Sequence, residues 1–170
     1  MNLKNLQLPD FVIAELYKKD LVQLNDAAIS KKEEQAEQRP WYLGNNVKEV
    51  CIAIKDPSAF FINDDWLQFL TNILAACKLN MQDVAIINCN QHSKTHKELQ
   101  AALQPKYYLL FDIDAKDIQL PFTIPHYQIQ SYGNATYLLA PSLNTMMGDS
   151  KEAKLEKSKL WLSLKKIFEV

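Results

Sequence analysis

The chain has 170 residues, 19.6 kDa, 48% hydrophobic and 23% charged residues, and a formal net charge of −1. A chain of that size buries roughly 70% of the surface exposed when unfolded, so one domain is expected to fold without disulfides or structural metal. Eighteen lysines accompany a single arginine, Arg39, and arginine does most bidentate reading of bases and phosphates, so the composition argues against a dedicated high-affinity DNA reader and leaves a local lysine patch open.

In chain order, Pro9-Asp10 opens a first helix whose apolar side is Phe11, Val12 and Leu16, extending toward Leu21 and Leu24. Residues 26–39 are polar and helix-prone, and Pro40 ends them, so residues 1–40 are expected to form a helical N-terminal segment. This stretch lacks the uninterrupted apolar core of a secretory signal, and no run reaches the length of a membrane span. Trp41, Tyr42 and Leu43 are bulky anchors before a turn at Gly44-Asn45-Asn46.

From Val47 the pattern becomes α/β. Val50 to Ile54, Val84 to Asn88 and Tyr107 to Phe111 are short continuous apolar runs, as expected of strands buried on both faces. Between them lie two helical patterns. Asn63 or Asp64 caps the first, with Trp66, Leu70, Ile73, Leu74 and Cys77 on one stripe. Thr95 and Glu98 form a capping box for the second, which runs to Leu103. Residues 127–132 and 135–139 flank Gly133-Asn134, a two-residue hairpin turn. Ser150 or Asp149 caps a final helix with Ala153, Leu160, Trp161, Leu164, Ile167 and Phe168 on its apolar side. Alternating strands and helices imply right-handed crossovers and a three-layer α/β/α arrangement around a mainly parallel sheet, in a single domain covering 1–170.

The three cysteines, Cys51, Cys77 and Cys89, lie in apolar contexts and read as reduced thiols of a cytoplasmic protein. Cys89, His92 and His96 have metal-like spacing, but a structural zinc needs a fourth ligand and only His126, far along the chain, is left to supply it, so no metal is expected. The three glycines are scattered and form no phosphate loop. Ser142 has no nucleophile-elbow motif. No cofactor is expected.

In α/β domains, ligands sit outside the carboxyl ends of strands. Three candidates lie there: Asp56-Pro57, followed by Phe60 and Phe61; Asn88; and Pro141-Ser142. Singly, a post-strand Asp before Pro is an ordinary turn former and a strand-end Asn an ordinary loop cap. Lys151, Lys154 and Lys157 of the last helix are either a solvated face or contacts to phosphate or an acidic partner.

In order, Ile54-Lys55-Asp56-Pro57-Ser58, Ile86-Ile87-Asn88 and Ala140-Pro141-Ser142 resemble the motifs of the uracil-DNA glycosylase superfamily, over about residues 47–168. The resemblance implies the glycosylase-like fold for this core and a DNA-repair pocket at Asp56, Pro57, Phe60, Phe61, Asn88, Pro141 and Ser142. Base excision needs a donor for the departing uracil anion, commonly a histidine, and losing such a donor costs about 3 kcal/mol or more. The matching position here is Ala140, and Lys55 and Ser58 stand where the family has glycines. The pocket is therefore expected to be vestigial, with no catalytic residue. The ending Pro141-Ser142-Leu143, followed by Leu160-Trp161, is also similar to the psi-subunit family of the bacterial DNA polymerase III clamp-loader assembly, which has this fold without the activity. That likeness implies a protein partner from replication or repair. Two alternatives stay open at this point: an atypical active glycosylase, and a weak DNA-binding module using the C-terminal lysines.

Overall fold

A computed structural model describes residues 40–170; the expected N-terminal helix lies outside the described residues. Six strands and three helices follow in the order β1 (Leu43–Gly44), β2 (Val50–Ile54), α1 (Asp64–Ala76), β3 (Val84–Asn88), α2 (His96–Leu103), β4 (Tyr107–Phe111), β5 (Ile129–Tyr132), β6 (Ala135–Ala140) and α3 (Lys151–Phe168), with a 3-10 turn over Leu143–Met146.

The sheet order is β1-β3-β2-β4-β6-β5. The central strands β3, β2, β4 and β6 run parallel, and β1 and β5 join the edges antiparallel. The sheet is therefore mixed, where a mainly parallel one was expected. The added antiparallel edges come from the hairpin and from Leu43-Gly44, read above as an anchor and the start of a turn. Gly44 fits there because its backbone sits at φ +103°, and a Cβ would lie 2.2 Å from the Val84 carbonyl oxygen.

The apolar runs form strands because both faces of the sheet are covered. Val50, Ile52 and Ile54 pack with Trp66, Leu70 and Leu74 of α1 and Leu160 and Leu164 of α3. Cys51 and Ala53 face the other way, with Leu99 and Leu103 of α2 and Ile113, Ile118 and Ile124 of the long β4–β5 connection. Side chains alternate across a strand, so a five-residue run buried throughout must feed two cores.

Helix ends follow local chemistry. The Asn63 side chain accepts from the Trp66 amide, Thr95 and Glu98 make the reciprocal capping box, and Ser150 accepts from the Ala153 amide. Each satisfies first-turn donors that have no partner inside the helix. None of the described helices is long and apolar enough to cross a membrane.

Candidate functional site

Strands β2 and β3 are neighbours in parallel register, with Ile54 opposite Asn88. Their carboxyl ends therefore bring Asp56 and Asn88 together, 1% and 0% exposed. The contact is a closed lattice of hydrogen bonds. Asn88 Oδ1 accepts from the Asp56 amide at 3.1 Å and the Asn90 amide at 3.1 Å. Its Nδ2 donates to the Asp56 carbonyl at 2.7 Å and the Ala59 carbonyl at 2.8 Å. Both donors and both acceptor sites of the amide are spent on backbone.

Asp56 is equally committed. Oδ1 accepts from the Ser58 amide at 2.9 Å and the Ser58 hydroxyl at 2.6 Å. Oδ2 accepts from the Asn63 amide and Asn63 Nδ2, each at 2.8 Å. Burial alone would raise the pKa of this carboxyl, but the bonds from Ser58 and Asn63 outweigh it and hold it below the ordinary value. The carboxylate stays ionised while its lone pairs remain directed at the loop. Residues 56–63 are in effect a staple, in which the Asp56 side chain folds back on Ser58 as an Asx turn and on Asn63 at the start of α1.

The third motif lies elsewhere on the same edge. Strand β6 is separated from β2 by β4, which puts the two strands about 10 Å apart at normal strand spacing. Ala140 is 1% exposed and belongs to the apolar core under α1 and α3, with Phe111, Leu138, Leu143 and Met146. Its methyl group thus enters hydrocarbon at the position where the resemblance calls for a histidine. Pro141 and Ser142 are half-buried. The Ser142 carbonyl accepts from the amide and hydroxyl of Thr145 in the 3-10 turn. The loop is tied to α1 by Trp66 Nε1, which donates to Asn144 Oδ1 at 3.0 Å; a core tryptophan needs such a partner for its N–H.

Phe60 is exposed and Phe61 packs on the core edge. The Phe60 ring meets His92 edge-on at 5.3 Å. His96 bonds instead to the Tyr137 hydroxyl at 2.5 Å, and burial lowers its pKa. His92 and His96 thus lie against different partners, and among the described residues no group of three or more His, Cys, Asp or Glu could hold a metal ion.

The open crevice at the ends of β2 and β3 is a neighbouring space of about 320 Å³, lined by Lys55, Cys89, Ser93, Lys94 and Asp117. A 2.6 Å ion pair from Lys55 to Asp117 spans it. Burial pushes the half-exposed Cys89 thiol up to about 11, so it stays protonated at neutral pH and is a poor nucleophile.

On α3, Lys151 and Lys154 are exposed, whereas Lys157 donates to the Gly148 carbonyl at 3.0 Å and lies over the Phe69 ring. Lys157 also borders an apolar groove of about 340 Å³ between α1 and α3, lined by Phe69, Ile73, Trp161 and Leu164.

Motif order brought Asp56 and Asn88 to notice, but not the residues that occupy them. In the sequence Ser58 reads only as a lost glycine, and Asn63 only as a cap. An Asp followed two residues later by Ser is itself an Asx-turn signature, so the signal was present. No protein-family model and no curated protein matches the chain.

Proposed function

We propose that this chain is a catalytically inert, three-layer α/β/α domain of uracil-DNA glycosylase-like arrangement, working as a protein-interaction subunit in replication or repair as the psi-subunit resemblance implies. The observation that carries this reading is the saturation of Asp56 and Asn88. A water-activating carboxylate needs a free lone pair, and a base-reading amide needs a free edge. Here both are consumed by residues 56–63 and 88–90. The buried Ala140 methyl supports it further, because no donor stands there for a leaving anion.

The half-buried Trp161 and the apolar groove beside it are the kind of surface that a protein partner covers. The lysine-patch alternative is weaker, since Lys157 is already held by Gly148.

The test is incubation of the full chain with a uracil-containing single-stranded oligonucleotide, alongside affinity capture from the native extract. No uracil release and recovery of clamp-loader or single-strand-binding components are expected. Uracil release that disappears in Asp56→Ala or Asn88→Ala, with the variants shown to be folded, would overturn the reading.

A further inference from the structure

Among the described residues, strand β5 is the open edge of the sheet beyond β6, and all four of its residues are exposed. Edge strands normally carry a lysine, a proline or a bulge that prevents further pairing. The β5 sequence, Ile129-Gln130-Ser131-Tyr132, has no charge and no proline.

Its backbone orientation follows from its neighbours. The Thr136 amide donates to the Lys106 carbonyl and the Ala140 carbonyl accepts from the Asp112 amide, so the even-numbered residues of β6 face β4. The odd-numbered Ala135 and Tyr137 therefore face β5, opposite Tyr132 and Gln130. Antiparallel pairs alternate between bonded and non-bonded. Gln130 and Tyr132 thus spend their N–H and C=O groups inward, and those of Ile129 and Ser131 point out. Among the described residues, the Ser131 carbonyl receives only a long 3.4 Å contact from its neighbour Gln130.

The ground beside this edge is apolar at the centre and basic at the rim. Ile129 is 37% exposed and Leu162 of α3 is 61% exposed. With Tyr127, Lys166 and Lys159, the last already paired with Glu156 at 2.8 Å, they border an open groove of about 520 Å³. Helix α3 carries six lysines against two glutamates.

We propose that β5 is a strand-addition site for an extended acidic segment of a partner protein, with apolar side chains over Ile129 and Leu162 and carboxylates toward Lys166. Main-chain bonds to Ile129 and Ser131 supply affinity, and alternate side chains supply choice. A second copy of this chain is the poorer occupant. A two-fold axis across paired β5 edges puts both α3 helices on the same face, lysines toward lysines, and like charges repel. This inference is independent of the glycosylase likeness, and holds or fails whether or not uracil is released.

The probe is a short, terminally blocked, fluorescent peptide alternating glutamate and valine, titrated by anisotropy into the full chain. Saturable binding tighter than about 1 mM is expected. Ser131→Pro removes one outward N–H at an edge position where proline is tolerated, and should weaken binding roughly tenfold or more with the fold retained by circular dichroism. Lys166→Glu should weaken it roughly fivefold. The same peptide N-methylated at alternate residues should not bind the unaltered chain, a control that needs no variant to fold. Failure of the parent peptide to bind overturns the proposal, as does equal binding of the N-methylated peptide. So does equal binding of a lysine-valine counterpart, or a dimer of the full chain that Ser131→Pro dissolves.

Discussion

Asn88→Ala is the sharpest probe of the 56–63 staple. Truncation removes four hydrogen bonds at once. Two of them, to the amide and carbonyl of Asp56, are wholly buried, so both peptide groups of Asp56 lose their partner with no water at hand. Each orphaned buried group costs about 1–3 kcal/mol, which puts the loss near 4 kcal/mol. The Asn90 amide and the Ala59 carbonyl lie nearer the surface and can turn to solvent, adding little. Against a total stability of about 5–15 kcal/mol this is a large fraction. At this size it lowers Tm by roughly 8–16 °C. Asn88→Asp should be no milder at neutral pH, because it sets a carboxylate oxygen against the Asp56 and Ala59 carbonyls. Urea unfolding, read by both fluorescence and circular dichroism to check two-state behaviour, gives the difference directly. A loss below about 1 kcal/mol in Asn88→Ala, at unchanged m, would show that the lattice is not what holds the loop.

Three further outcomes follow from the same contacts. Ala140→His supplies the histidine that the glycosylase resemblance calls for, yet should cost about 1–3 kcal/mol by overpacking a closed apolar site, and should give no uracil release in an oligonucleotide assay. Gly44→Ala should cost more than Gly133→Ala in urea midpoint. Both residues have positive φ, but a Cβ at Gly44 meets the Val84 and Met81 carbonyl oxygens at 2.2 and 2.6 Å, while Gly133 has nothing within 4 Å. Acidification should weaken the fold in two steps. Burial lowers the His96 pKa in the folded state, so the unfolded chain takes the proton first, and this contribution fades as pH falls below 6.5. The depressed Asp56 carboxyl adds a second loss as pH falls below 3.8. A pH series of urea midpoints resolves both, and His96→Gln should flatten only the upper one.

Periodicity and capping chemistry located most elements. The strands at 50–54, 84–88 and 107–111 occupy the expected residues, because a run buried on both faces leaves an unbroken apolar signature. Asn63, Thr95 and Ser150 are the helix caps that their chemistry predicts. Strand β1 leaves no signal in the sequence because two residues carry no period, and its glycine reads as a turn even though it lies against β3. The final helix also departs from its stripe. Ser163 is buried and donates to the Tyr127 carbonyl, while Trp161 is only partly covered. Hydrophobic pattern alone cannot reveal a polar residue drawn inward by a partner 36 positions away.

The site shows why motif order is weak ground for chemistry. Asp before Pro and Asn at a strand end suit two purposes that look identical in one dimension: holding a ligand and holding the loop itself. What separates them is whether the polar atoms have spare valence once the chain is folded. In this protein Asp56 and Asn88 are adjacent because β2 and β3 are adjacent, the same proximity that a binding pocket would need. Ser58 and Asn63 then supply the donors that a ligand or water would otherwise bring. A side chain as small as serine at position 58 is what closes the Asx turn, and a glycine there could offer the carboxylate only its amide. The departure from the glycosylase pattern that first reads as a missing glycine is thus an added hydrogen bond, and it commits Asp56 to structure.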